Sequence, residues 1–207
     1  MNCDYRLYLV TDSSLDDDAL CRVVRQAVAG GVTMVQLREK QGDIRAFIRR
    51  AQKLKTLLCG SGVPLIINDR LDVALAVDAD GLHLGQSDMP AQLARRLLGQ
   101  DKILGLTVES MAQLHEAQTL PVDYLGISTV FATATKTDTR FEWGLDGLSL
   151  AVNCSSKPLV AIGGIGEANF VRVRQTGVAG IALVSAICAA AQPSQASRRF
   201  RQMWLTD

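Results

Sequence analysis

Short apolar runs alternate along the chain with longer stretches whose apolar residues return every three to four positions. Runs at 5–10, 32–37, 64–67, 81–84, 103–106, 124–127, 159–162 and 180–184 predict strands. Periodic stretches at 16–29, 43–59, 71–77, 90–98, 111–118, 145–152, 167–176 and 186–191 predict helices between and after them. In the first of these, Leu20, Val23, Val24, Ala27 and Val28 form one stripe, and Gly30-Gly31 stops it. In the second the stripe is Ile44, Phe47, Ile48, Ala51, Leu54 and Leu58. Pro90 suits a first helical turn, whereas Pro193 reads as a break ahead of a final helix at 195–204. The stretch 128–143 is a long polar loop.

Eight strand-then-helix units with nearly continuous apolar strands predict a parallel sheet covered by helices. Eight is the number that closes a (β/α)8 TIM barrel, an α/β fold, here as a single domain over 1–207. A doubly wound open sheet is the alternative. No linker or shift of composition marks a second domain.

Composition narrows the function. With 22 basic and 21 acidic residues the net charge is +1, and no basic stripe suggests a nucleic-acid partner. No apolar run approaches the ~18 residues of a membrane span, so no membrane partner is expected. The opening MNCDYRLYLVTD lacks a basic stretch before its apolar run and does not read as a signal peptide. Cys3, Cys21, Cys59, Cys154 and Cys188 are scattered and odd in number, which argues against a disulfide framework or zinc site and for a cytoplasmic location. Small-molecule substrates are the expected partners. A homo-oligomer stays open.

In such a barrel, chemistry gathers at the C-terminal ends of the strands, and polar residues collect there. Asp69 and Asp88, 19 positions apart, would close adjacent strands at one rim. Two carboxylates so placed repel unless a cation lies between them, and hard oxygen ligands suit Mg²⁺. The plainer alternative makes both acids helix caps. In QLREK a period of two puts Gln36, Arg38 and Lys40 on one face, where the two cations suit a diphosphate. The alternative is a solvated charged loop with Arg38–Glu39-type pairs.

Gly163-Gly164-Ile165-Gly166 after the seventh strand and Val184-Ser185 after the eighth lie where barrels often bind a phosphate. Thr133, Thr135 and Lys136, in the long loop, suit an anionic substrate. His83 reads either as a base or as a hydrogen-bonded packing residue, and the second is the simpler reading. His115 falls mid-helix at the surface, and Trp143 and Trp204 read as packing residues. No Ser-His-Asp or Cys-His set is evident.

The motifs QLREK, IINDR, HLGQSD, TATKTD, IGGI and VSAI, in this order, resemble those of the thiamine-phosphate synthase (thiamine-phosphate pyrophosphorylase) family. The resemblance spans nearly the whole chain and implies a (β/α)8 barrel. The implied activity is Mg²⁺-dependent joining of a hydroxymethylpyrimidine diphosphate to a thiazole phosphate, with release of pyrophosphate. Carried over by position, Gln36, Arg38, Lys40, Asn68, Thr107 and Lys136 hold the pyrimidine diphosphate, with Arg38, Lys40 and Lys136 as the catalytic cations. Asp69 and Asp88 bind Mg²⁺. Thr133, Thr135, Gly164, Val184 and Ser185 hold the thiazole phosphate. Thr107 replaces the family's usual serine, and Ser128, Thr129 and Ala132 stand where a Gly-Pro pair and a further proline are common. The nearest rivals are a thiazole tautomerase on the same barrel, which would not need the diphosphate residues, and a non-catalytic regulator binding the same precursors.

Overall fold

In the computed structural model, residues 3–40, 42–133 and 142–206 are described. Thr135 and Lys136 lie outside them. The elements run β1 (Leu7–Val10), α1 (Asp17–Ala29), β2 (Met34–Leu37), α2 (Ile44–Leu58), β3 (Leu65–Asn68), α3 (Leu71–Ala76), β4 (Gly81–Leu84), α4 (Ala91–Leu98) and β5 (Ile103–Val108). They continue α5 (Met111–Ala117), β6 (Tyr124–Ser128), α6 (Gly144–Cys154), β7 (Leu159–Ile162), α7 (Phe170–Arg174), β8 (Gly180–Leu183), α8 (Ser185–Cys188) and α9 (Pro193–Leu205). The strands pair in parallel in sequence order, and β8 returns to β1 to close the barrel. The open-sheet alternative is thereby excluded.

The period of two along each strand separates two cores. Leu7, Leu9, Val35, Leu37, Leu65, Ile67, Leu82 and Leu84 face outward into a layer shared with the helices. Tyr8, Val10, Met34, Ile66, Ile103, Tyr124, Val160 and Ala182 form the second core, inside the barrel. The inward face turns polar towards the C-terminal ends of five strands, at Gln36, Asn68, His83, Thr107 and Ser128. At about 25 cal/mol per Å² of apolar area removed from water, the outer layer is the main source of stability. The polar tips add little to it without partners.

The opposite, N-terminal rim carries its own acids, and these are structural. Asp80, just before β4, accepts the Leu65 amide at 2.8 Å and pairs with Lys55 at 2.8 Å. Asp123, just before β6, accepts the Leu104 amide at 2.7 Å. It also meets Arg95, a residue only 5% exposed, whose guanidinium donates to the carbonyls of Pro121, Gly99 and Lys102. Each acid sets one strand against its neighbour, and every guanidinium nitrogen of the buried arginine has a partner.

The helix starts follow local chemistry. Asp16 and Asp43 accept from the amides of Ala19 and Ala46 and so cap α1 and α2. Three expectations need correction. Pro193 does not break the chain but opens α9 at its first turn, where its missing N–H costs nothing. Helix α7 is shorter than 167–176. Asn169 closes the turn before it by accepting from Gly166 N and donating to Gly164 O. Strand β5 runs two residues past 103–106, which puts Thr107 on the strand itself.

Candidate active site

A cavity of about 810 Å³ opens at the C-terminal end of the barrel. Gln36, Arg38 and Lys40 all line it, so the alternation in QLREK holds. Glu39 between them points away. Both of its oxygens accept from Arg50 Nη1 of α2 at 2.8 and 2.9 Å, and the same guanidinium reaches the Leu15 carbonyl. Burial raises the Glu39 carboxyl, and Arg50 opposes that rise. The solvated-loop alternative, with Arg38–Glu39 pairs, is thus not what forms. Arg50 ties down the strand tip, and the two cations of QLREK stay at the cavity.

Asp69 and Asp88 come together on adjacent tips, and neither caps a helix. Asp69 sits at φ 62°, a left-handed setting that is strained for a residue with a Cβ. Its amide donates to His83 O at 2.8 Å, and its carboxylate takes Lys40 Nζ at 3.1 Å. Asp88 accepts the Gly85 amide at 2.7 Å. Burial, and then the neighbouring Asp69, raise the Asp88 carboxyl above its ordinary range, against the pull of that amide and of Lys40. A hard divalent cation would relieve this crowding. Among the described residues no group of three or more His, Cys, Asp or Glu offers a metal site. Two carboxylates are nonetheless enough for Mg²⁺ when water and substrate oxygens complete the shell.

Asn68, 6% exposed on the cavity wall, has a buried Nδ2 with no partner among the described residues. Such an orphaned donor costs about 1–3 kcal/mol until a ligand accepts from it. Thr129 Oγ1 is orphaned in the same way beside the same cavity. In the sequence this position stands out only as a departure from a family pattern.

Thr133, Gly164, Val184 and Ser185 line the opposite side of the cavity. Gly163 and Gly164 have φ of 103° and 64°, and their role is wider than letting a ligand approach. A Cβ on Gly163 would stand 2.3 Å from Thr129 Cγ2, and one on Gly164 would stand 2.7 Å from Phe131 Cβ. The loop after β6 lies directly on that after β7, held by Val130 N to Ile162 O at 3.0 Å and Phe131 N to Gly163 O at 3.1 Å.

His83 is 8% exposed and hydrogen-bonded through both ring nitrogens, Nδ1 to Tyr124 Oη at 2.8 Å and Nε2 to Thr107 Oγ1 at 2.7 Å. The packing reading fits this better than a free base. His115 is exposed, Trp143 is buried with Nε1 donating to Ser128 O, and Trp204 packs edge-on to Phe170. All five cysteines are free. Tyr8 and Tyr124 also line the cavity, although in the sequence they look like ordinary strand residues.

A closed parallel barrel with cations, paired acids and orphaned donors at one mouth defines an enzyme of the TIM-barrel class that handles small ligands. The family model for thiamine monophosphate synthase matches residues 7–187, and the chain belongs to that family of transferases. It is 63% identical over 193 residues to a thiamine-phosphate synthase of Vibrio parahaemolyticus, covering 93% of this chain and 95% of that protein. It is 50% identical over 205 residues to one from Syntrophomonas wolfei, covering 99% and 98%. Among solved structures, a thiamine phosphate pyrophosphorylase from Pyrococcus furiosus superposes with a TM-score of 0.88 at 36% identity, covering 98% and 96%. A 3-hexulose-6-phosphate synthase matches at TM-score 0.70 but only 16% identity, which shows the fold alone. No described helix is long and apolar enough to cross a membrane.

Proposed function

We propose that this enzyme joins 4-amino-2-methyl-5-(diphosphooxymethyl)pyrimidine to 4-methyl-5-(2-phosphooxyethyl)thiazole, with Mg²⁺, giving thiamine phosphate and pyrophosphate. The observation that carries the reading is the rim shared by Arg38, Lys40, Asp69 and Asp88, with Lys40 already paired to Asp69 at 3.1 Å. Cations and carboxylates in one cluster suit a metal-bridged diphosphate, since the carboxylates can take the ion and the cations the phosphate oxygens.

The bond that breaks joins the pyrimidine CH₂ to the diphosphate oxygen. Mg²⁺ held by Asp69 and Asp88 would neutralise charge on the leaving diphosphate. Arg38 and Lys40, with Lys136, stabilise the same oxygens. Asn68 donates its orphaned N–H to the ligand. The electron-rich aminopyrimidine carries the positive charge left on the CH₂ carbon. The thiazole nitrogen then attacks that carbon, its phosphate held by Thr133, Thr135, Gly164, Val184 and Ser185. Holding the two rings together supplies much of the acceleration. The scheme calls for no protein nucleophile, since the thiazole nitrogen itself forms the new bond.

Incubation of the purified protein with both precursors and Mg²⁺ tests the reading. Thiamine phosphate and pyrophosphate should appear in equal amounts, and chelation of the metal should stop both. Release of neither at saturating Mg²⁺ would overturn the assignment.

A further inference from the structure

A continuous chain of hydrogen bonds crosses the barrel beneath the cavity. Gln36 Nε2 donates to Tyr8 Oη at 2.8 Å, Tyr8 Oη and Tyr124 Oη are hydrogen-bonded at 3.0 Å, and Tyr124 Oη meets His83 Nδ1 at 2.8 Å. His83 Nε2 then meets Thr107 Oγ1 at 2.7 Å. Both ends of the chain, Gln36 and Thr107, line the cavity.

Counting hydrogens along this chain gives it a direction. An amide nitrogen only donates, so Tyr8 accepts from Gln36 and passes its own proton to Tyr124. Tyr124 in turn donates to His83 Nδ1, so the imidazole carries its hydrogen on Nε2 and donates it to Thr107. The Thr107 hydroxyl hydrogen is then left over for the cavity, and so is the Gln36 carbonyl oxygen. With the Gln36 amide nitrogen donating, any other set of directions leaves a buried phenol hydrogen without an acceptor in the chain or sets two lone pairs face to face. A doubly protonated His83 would donate to Tyr124, and one phenol hydrogen would then have no acceptor in the chain. Burial keeps both phenols protonated, with Tyr8 and Tyr124 raised above the ordinary phenol range.

Room for the chain is built into the strands. A Cβ on Gly105 would stand 2.2 Å from Tyr124 Cζ and 2.5 Å from His83 Nδ1, and one on Gly126 would stand 3.2 Å from His83 Cε1. Two strand positions without side chains leave the space that the imidazole fills.

We infer that His83 is a positioning residue whose Nε2–H tautomer, set by Tyr124 and Tyr8, makes Thr107 a hydrogen-bond donor and Gln36 an acceptor towards the cavity. The pair thereby selects a neutral heteroaromatic amine, which offers an N–H to Gln36 and a ring-nitrogen lone pair to Thr107. The selectivity rests on the pyrimidine reading above, whereas the tautomer does not. A 4-oxo ring sets an oxygen against the Gln36 carbonyl and is disfavoured.

Histidine ¹⁵N spectra test the tautomer without any substrate. The chain has two histidines, so His83→Gln assigns the signals. His83 Nδ1 should appear unprotonated and Nε2 protonated, while Tyr124→Phe should release the ring to a tautomer average. A protonated Nδ1 in the wild type would overturn the inference. Binding of 4-amino- and 4-oxo-5-hydroxymethyl-2-methylpyrimidine, measured by calorimetry, tests the selectivity. The amine should bind on the order of tenfold more tightly, and Thr107→Ser should retain that preference while Thr107→Val loses much of it. Equal affinities in the wild type would overturn the selectivity. In turnover, Tyr124→Phe should add little to the loss in Thr107→Val, because both act through one hydrogen bond. Fully additive losses would also count against the chain. Absence of turnover in a wild-type protein showing the expected tautomer would instead contradict the proposed reaction.

Discussion

Lys40 Nζ lies 3.1 Å from Asp69 Oδ2, a link between the tips of two adjacent strands. Both residues line the cavity, and Lys40 is largely exposed. An exposed pair of this kind contributes about 0–1 kcal/mol to stability, so its value lies in placing two charges where a ligand arrives. Lys40→Ala should therefore leave the melting temperature nearly unchanged and raise KM for the pyrimidine diphosphate by about tenfold or more. Asp69→Ala should cut kcat far more than stability. Full activity of Asp69→Ala at limiting Mg²⁺ would contradict the metal role.

Asp88 offers the opposite combination. Burial and the adjacent Asp69 raise its carboxyl in the folded protein, so the charged form is disfavoured there. The stability associated with the protonated form is present below the ordinary value of 3.8 and is lost as pH rises through the higher folded-state value. Asp88→Asn removes that loss and can keep the bond from Gly85 N. In metal-free buffer at neutral pH the variant should melt higher than the wild type, with the gap closing as the pH falls below the carboxylate range. It should at the same time lose most turnover. Thermal melts across pH, paired with a pyrophosphate-release assay, would check both halves.

Arg50 acts from outside the cavity. Removing it leaves the mostly buried Glu39 without its two bonds. Breaking a pair of this kind should cost about 2–3 kcal/mol, tempered by protonation of Glu39. The second effect is the informative one. With Glu39 unanchored, the tip bearing Arg38 and Lys40 loosens, and Arg50→Met should raise KM for the diphosphate while leaving KM for the thiazole phosphate in place. Equal changes in both would mean the anchor is merely structural.

Gly105→Ala tests how tightly the barrel interior is filled. Its Cβ would meet the Tyr124 ring and the His83 imidazole, and ring atoms held on both sides cannot swing away. Overpacking of this kind costs about 1–3 kcal/mol or more. Urea denaturation should show a lowered midpoint. An unchanged midpoint would indicate that the two rings have room to shift.

Much of this was legible in the residues, and the reasons are physical. Burial on both faces makes parallel strands continuous apolar runs, so all eight appeared, in order, together with the rim residues that follow them. The acid pair and the QLREK face followed from strand ends and a period of two. Hidden were features that depend on contacts far apart in sequence. Tyr8 and Tyr124 are 116 positions apart, and each alone resembles a strand residue with a large apolar ring. Glu39 belongs to Arg50 of the next helix rather than to Arg38 beside it. Asp80 and Asp123 carry no local mark separating them from the acids of the active rim. Only the end of the barrel on which each falls tells them apart. The spacing overextends the helix at 167–176 because apolar periodicity persists through a turn that Asn169 closes with its side chain.

The lock between the loops after β6 and β7 bears on protein engineering. Thr129 and Phe131 occupy the space that any side chain at 163 or 164 would need, and two backbone bonds fasten the loops together. A chimera that imports only one of these loops from a barrel with different residues at the seam inherits a collision. Transplanted as a matched set, the two bring their fit with them, which makes the pair, rather than either loop, the natural cassette for altering what this barrel accepts.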